Sequence, residues 1–266
     1  MPVIAGLNWT FDTVADDYAQ LRPGYPEELY RAVLAAQPLG ETSHALEIGI
    51  GGGQATPPIL ATGAQVNAVE PGEHFCGLCR EKFAAWPGFS VLQSTFEDAA
   101  LTASAFDLVY SASAFHWVPE AVGYPKVLEV LKPGGVFARF ANHPHPDLGR
   151  PAMTEAIQQA YDRYYAPFHH RPLERPRLYT EEQAARRAAI AARYGFTDVS
   201  HALFRRTRSF TAEGYVRLLG TYSDHIVIPE PTRTAFFGMI REAIEAHGGV
   251  ITVYDVIDLQ LARKPL

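Results

Sequence analysis

Cysteine is almost absent: Cys76 and Cys79 are the only two in 266 residues. That is too few for a disulfide framework, and with no second pair it is too few for a four-ligand structural zinc site. No apolar run approaches the ~20 residues needed to cross a bilayer. The amino end, MPVIAGLNWTFDTVADDY, has neither the basic nor the apolar region of a secretory signal, so a cytoplasmic protein is expected. Positive charge is also scarce, with 23 Lys and Arg against 29 Asp and Glu and a formal charge of −6. That balance gives no electrostatic footprint for a phosphate backbone, and no nucleic-acid partner is expected. The two cysteines form C-G-L-C within GEHFCGLCREKF, which reads as ordinary helix with both thiols on one face.

What is present is a large apolar share, 47% of residues, enough to bury a sizeable core. YPEELYRAVLAAQ (25–37) has helical spacing behind Pro26 and two glutamates. HALEIGI is a short apolar run suited to a buried parallel strand. Strand-like runs recur at QVNAVEP (65–71), FSVLQSTFED (89–98), FDLVYSASAFHWV (106–118) and VFARFAN (136–142), with helical stretches between them. This alternation predicts βαβ units and a mostly parallel sheet. Residues 143–196 break the rhythm and read as two or three helices without strands. DVSHALFRRTRSF (198–210) is a sixth strand, and ITVYDVIDLQLARK (251–264) alternates as an antiparallel strand near the sheet edge. The expected architecture is α/β and Rossmann-like. It has seven mostly parallel strands with one antiparallel, helices on both faces and a helical lid insert. One domain spans 1–266: a cofactor-binding half at 10–142, the lid at 143–196, and 197–266 completing the sheet.

One stretch is concentrated in glycine. In ALEIGIGGG, Gly49, Gly51, Gly52 and Gly53 fall just after the first strand. Glycines there let main chain turn tightly and approach a ligand, and amides at the start of the next helix then point at it. The ligand is expected at the carboxyl edge of the first strand. The spacing is not that of a dinucleotide fingerprint, because the sixth position from Gly49 is Gln54. Nor does it end in the G-K-[ST] of a phosphate loop. It reads Glu47-x-Gly49-x-Gly51-x-Gly53, with Glu70 closing the second strand about twenty residues on, where a carboxylate can accept both ribose hydroxyls. A nucleoside fits.

These motifs, in order, resemble those of the class I S-adenosylmethionine-dependent methyltransferases. ALEIGIGGG is similar to the first cofactor motif, VNAVEP to the second-strand acidic motif and STFED to the adenine loop. FDLVYSASAFHWV resembles the fourth-strand motif and VLKPGG the turn before strand five. YAQLRPGYP and FHWV further resemble the small-molecule branch that includes trans-aconitate methyltransferase-like proteins. The resemblance implies S-adenosylmethionine as cofactor, S-adenosylhomocysteine as product, and a role for each matching residue. Gly49, Gly51 and Gly53 would line the methionine portion. Glu70 would hold the ribose, with Pro71 against the adenine. Thr95, Phe96 and Glu97 would flank the adenine. Ser111 and Ala112 would sit by the sulfur, with His116 and Trp117 close to it. Tyr18 and Arg22 would close over the methionine carboxylate.

Methyl transfer from a sulfonium requires placement of the acceptor behind the methyl, and a base only where the acceptor must lose a proton. His116 is the candidate base. The N-P-P-[YF] signature of many nucleic-acid amino-methylating enzymes is absent, SASAFHW standing in its place, which argues for a small-molecule acceptor. In the insert, Tyr161, Tyr164, Tyr165, Phe168, His169 and His170 lie near Arg171, Arg175 and Arg177, a composition able to grip an aromatic or carboxylated acceptor. No metal is expected, since no carboxylate or cysteine completes a set with His143, His145, His169 and His170. Two other readings stay open at this point: an NAD-dependent dehydrogenase on a similar sheet, and a non-catalytic S-adenosylmethionine-binding protein.

Overall fold

Seven strands hydrogen-bond in the order β3-β2-β1-β4-β5-β7-β6. The structure is a computed structural model that describes residues 21–22, 24–170 and 177–266. The central strands β1 (His44–Ile48), β2 (Gln65–Glu70) and β4 (Phe106–Ala112) are parallel and buried along most of their length. This is the pattern of strands covered on both faces. β3 (Phe89–Gln93) is an edge strand and far more exposed. β5 (Leu131–Pro146) runs parallel to β4. β7 (Val250–Arg263) runs antiparallel to both β5 and β6 (Thr197–Thr211), so the antiparallel strand lies inside the sheet and β6 forms the edge.

On one face α1 (Glu27–Ala36) buries Leu29, Tyr30 and Val33 against a core that also holds Ile59, Phe83, Tyr110 and Phe140. Short α2 (Pro57–Leu60) and α3 (Glu73–Lys82) complete that face. The other face is closed by α4 (Glu120–Val130), on which Tyr124 and Val127 pack against Phe137 and Phe196.

The insert differs from expectation in its first residues. β5 continues through 143–146, because Pro144 and Pro146 still pair with Asp255 and Val253 of β7. β5 thus outruns its last partner in β4, the Ala112↔Phe140 pair, by six residues, roughly 20 Å of strand. Together β5, β7 and β6 form a ribbon rising past the carboxyl ends of β1, β2 and β4.

A cap rests on that ribbon. It contains α5 (Pro151–Ala160), which continues through a π-helical turn, Tyr161–Tyr165, into Ala166–Phe168. The later helices α6 (Glu181–Ala188) and α7 (Ile190–Arg193) follow; Ala191 of α7 packs in the α4-side core. The cap is completed by α8 (Ala212–Leu219), α9 (Ser223–Ile226) and α10 (Thr232–Ala246). Met153, Ile157 and Tyr165 share a core with Phe236, Ile240 and Ile244 of α10 and with Ile251 and Val253 of β7. Among the described residues no helix is long and apolar enough to cross a membrane.

Candidate functional site

The glycine loop is held from behind so that its carbonyls face protein. The Gly49 amide donates to the Val69 carbonyl at 2.8 Å, carrying the β1–β2 ladder one residue further. The chain then turns with Gly49 at φ 71° and Gly53 at φ 71°, a region L side chains rarely adopt. From α3, Cys79 Sγ donates to the Gly51 carbonyl (3.1 Å) and Lys82 Nζ donates to the Gly52 carbonyl (2.7 Å). A Cβ at Gly53 would stand 2.6 Å from the Phe83 ring, and one at Gly49 would stand 2.4 Å from Ala114 Cβ. At both positions the side-chain direction is taken by protein, so these residues offer a ligand main chain only.

The amides of this loop do not come from a helix start, which corrects the sequence expectation. The next helix, α2, begins four residues past Gly53 and is four residues long. Pro57 and Pro58 open it, and a proline has no N–H to present. Any ligand-facing amides here belong to the loop itself.

Glu70 meets the loop as the sequence predicted. Its Oε2 accepts from the Gly51 amide at 2.9 Å and its Oε1 from the Gly72 amide at 3.0 Å. Cys76 Sγ donates to the Glu70 carbonyl at 3.3 Å. The two thiols of C-G-L-C are therefore more than ordinary helix residues: each holds the backbone of one element of the site. Burial, with the nearby Glu47 carboxylate, pushes the Cys79 thiol up to about 12, so it stays a neutral donor.

Glu47, the acid that opens the glycine motif, is a further residue that the structure singles out. It is fully buried, and its Oε2 accepts from the Thr56 and Tyr110 hydroxyls, each at 2.7 Å. Its Oε1 is buried with no partner among the described residues. Burial raises the carboxyl to about 7 against the opposing hydrogen bonds. A buried acceptor left unmatched costs roughly 1–3 kcal/mol, and a bound ammonium group would remove that penalty. Main chain without side chains, a carboxylate at the end of β2 and an unmatched buried carboxylate oxygen fit the nucleoside, sugar and amino-acid parts of S-adenosylmethionine.

The remaining predicted residues are placed as follows. Pro71 is half-buried beside the Gly72 turn. The Thr95 hydroxyl is engaged with Asp98, donating to its carboxylate at 2.8 Å and accepting from its amide at 3.2 Å. The Phe96 ring is core, 3% exposed beneath Lys126, so only its main chain is left for an adenine. The Glu97 carbonyl accepts from Lys126 Nζ at 2.8 Å. A groove of about 550 Å³ between 97–101 and α4 shares only Glu97 with the predicted site.

Ser111 is corrected: it is fully buried and its hydroxyl donates to the Ile48 carbonyl at 2.9 Å, tying β4 to β1. Just past the strand end stands half-buried Ser113, which the sequence reading missed. Ser113 has φ 56°, and its hydroxyl bonds the Tyr25 phenol at 2.9 Å and accepts from the Asn142 amide at 3.3 Å. Ala112 is half-buried at the same edge. His116 and half-buried Trp117 occupy a one-turn helix, their rings 5.0 Å apart. His116 is an exposed residue of that turn. Desolvation there, with positive Arg139 and Arg187, holds it down at about 4. It is a neutral imidazole at pH 7.

Tyr18, Arg171 and Arg175 lie outside the described residues. Arg22 bonds the Thr221 hydroxyl (2.9 Å) and carbonyl (3.0 Å), with its guanidinium 3.8 Å over the Tyr222 ring. In this geometry it joins the amino-terminal segment to the cap. On the ribbon, Asp255 is 1% exposed and receives both Arg206 and Arg208, with Asn142 Nδ2 donating to it at 3.0 Å. On the opposite face His143 bonds Asp258 at 2.9 Å and stacks on Tyr179.

Comparison with known proteins agrees with this geometry. Residues 46–138 match the methyltransferase domain family. The chain is 31% identical to an uncharacterised methyltransferase of Geobacillus over 60% of its own length and 76% of that protein's. It is 25% identical to an uncharacterised methyltransferase of Schizosaccharomyces pombe over 89% of this chain and 87% of that one. A solved type II methyltransferase structure from Anaeromyxobacter dehalogenans shares the fold at a TM-score of 0.62 and 21% identity, covering 92% of this chain and 98% of that chain. The chain belongs to the class I S-adenosylmethionine-dependent methyltransferases.

Proposed function

We propose that this protein transfers a methyl group from S-adenosylmethionine to a small-molecule acceptor by in-line displacement. The observation that carries the reading is the 2.9 Å bond between the Gly51 amide and Glu70, which brings the side-chain-free loop and the sugar-reading acid together. When bound, S-adenosylmethionine supplies an already activated methyl group. The chain's own work is to hold the acceptor in line and keep water out. In this reading Glu70 takes the ribose hydroxyls while keeping the loop amide, since a carboxylate has about four acceptor sites. Glu47 Oε1 takes the ammonium. Ala112, Ser113 and Trp117 border the methyl, and the ribbon and cap enclose the acceptor.

The small-molecule assignment rests on the net charge of −6 and on SASAFHW standing where an N-P-P-[YF] signature would be. The test is calorimetric titration with S-adenosylhomocysteine. Glu70→Ala is expected to weaken binding by roughly 1–3 kcal/mol, the cost of losing charge-assisted hydrogen bonds. An affinity unchanged from wild type would remove the ribose role. Tight cofactor binding without transfer to any acceptor in a broad panel would favour the non-catalytic alternative.

A further inference from the structure

The cap contains a hydrogen-bonded chain of titratable groups that cofactor binding does not use. Asp224 Oδ1 lies 2.8 Å from His225 Nδ1, and His225 Nε2 lies 3.0 Å from the Tyr161 hydroxyl. Tyr165 donates to Asp224 Oδ2 at 2.6 Å, and His169 Nε2 lies 2.8 Å from the Asp224 carbonyl. Burial opposes ionisation of Asp224, but the bonds from His225 and Tyr165 outweigh it and hold the acid well below the usual carboxylate range. A charged Asp224 accepts a hydrogen bond from the His225 Nδ1–H, leaving Nε2 as the acceptor for the Tyr161 O–H. Tyr161 and Tyr165 both sit in the π-helical turn, a local widening that recurs at functional sites. Here it lets two tyrosines of one helix reach the adjacent residues Asp224 and His225.

This network is tied to the carboxyl end of β4 through Arg22 and Tyr25. His225 is 5% exposed, whereas Tyr161 keeps partial access. The Tyr222 ring is 5.6 Å from His225 and carries Arg22, and three residues later Tyr25 bonds Ser113 at the end of β4. Three residues span at most ~10 Å, so a short stretch of chain, with the Arg22 and Tyr25 side chains reaching from it, bridges the cap tyrosines to the β4 end. Tyr161, Tyr215 and Tyr222 make that roof aromatic, and Arg208 Nη1 is buried without a partner among the described residues.

We propose that Tyr161, His225 and Asp224 form a proton relay serving a phenolic acceptor, an inference that rests on the methyl-transfer reading above. The phenol O–H donates to the Tyr161 oxygen. Its proton passes to that oxygen as the Tyr161 proton passes to His225 Nε2, giving an imidazolium held by Asp224. The phenol oxygen forms its bond to the methyl carbon as the carbon–sulfur bond breaks, the electron pair staying on sulfur. The imidazolium then loses its proton to solvent. A carboxylate acceptor would leave this relay without a task.

The experiment uses the full chain, S-adenosylmethionine and a series of para-substituted phenols of graded acidity, with benzoate as the carboxylate probe. Tyr161→Phe keeps the ring and is expected to lower kcat/KM about 10²- to 10³-fold for weakly acidic phenols, as for loss of a positioned base. It should have little effect on phenols already ionised at the assay pH. His225→Gln should give a similar loss, with no further loss in the double variant. A second readout needs no turnover: 4-nitrophenol bound beside S-adenosylhomocysteine should ionise at lower pH in wild type than in Tyr161→Phe, seen in its visible absorbance. A loss uniform across the phenols, no loss, transfer to benzoate alone, or no spectral difference overturns the relay. Any of these with S-adenosylhomocysteine still bound leaves the cofactor reading intact, whereas failure to bind it removes that reading first.

Discussion

Gly49→Ala is expected to cost about 2–5 kcal/mol of stability and to abolish measurable cofactor binding. A non-glycine residue held left-handed costs roughly 1–2 kcal/mol, and overpacking adds about 1–3 kcal/mol. Both penalties apply, since Gly49 has φ 71° and its Cβ would stand 2.4 Å from Ala114 Cβ. Ala114 cannot retreat cheaply: it lies between Ser113, fixed to Tyr25 and Asn142, and buried Phe115. Gly40→Ala is the control, because nothing lies within 4 Å of the added Cβ there. Urea denaturation of both variants checks this; equal stabilities would mean that the strand-end geometry is wrong.

The second large effect is a pH dependence. Glu47 is fully buried and its carboxyl is raised from 4.5 to about 7. An acid raised on folding favours the folded state fully below its unfolded value, and that contribution is lost as pH rises through the folded value. Wild type should therefore lose stability between pH 4.5 and 7 from this group and then level off. Glu47→Gln cannot titrate, yet its amide oxygen still accepts from Thr56 and Tyr110. The variant should gain on wild type across that window by up to about 3 kcal/mol, at 1.36 kcal/mol per pKa unit. Its affinity for S-adenosylhomocysteine should fall, because the partner for the ammonium is gone. Thermal melts at several pH values and calorimetry measure the two effects separately. A pH-independent difference would refute the raised carboxyl.

Both predictions turn on features of different legibility. The sheet was readable because its signals are local: apolar runs of strand length, helical periodicity between them, and glycines directly after β1. Glu70 was readable for the same reason, as an acid at a strand end at fixed distance from those glycines. The extension of β5 through His143-Pro144-His145-Pro146 was not. Two prolines read as a break, and only pairing with a strand more than a hundred residues away keeps them extended. The expectation of ligand-facing amides at the helix start had a visible warning in Pro57-Pro58, which have no N–H to donate.

The candidate site divides along the same line. Ser111 and Ser113 have the same residue type two positions apart, and only the sheet's pairing buries the first and leaves the second half-buried past the strand end, bonded to Tyr25 and Asn142. His116 reads as suited to titrate near neutrality, but the two positive groups that lower it, Arg139 and Arg187, come from distant segments. The relay in the cap joins residues 161 and 225, and no spacing rule relates them. The aromatic richness of AYDRYYAPFHH was visible, whereas its pairing with Asp224-His225 was a tertiary fact.

The most direct test is a crystal structure of the protein with S-adenosylhomocysteine. The ribose hydroxyls should lie within hydrogen-bond distance of the Glu70 carboxylate, the amino-acid portion should run over main chain 49–53, and the ammonium should approach Glu47 Oε1. A nucleoside bound away from Glu70, or a loop that has left the Glu70 carboxylate to admit it, would contradict the account.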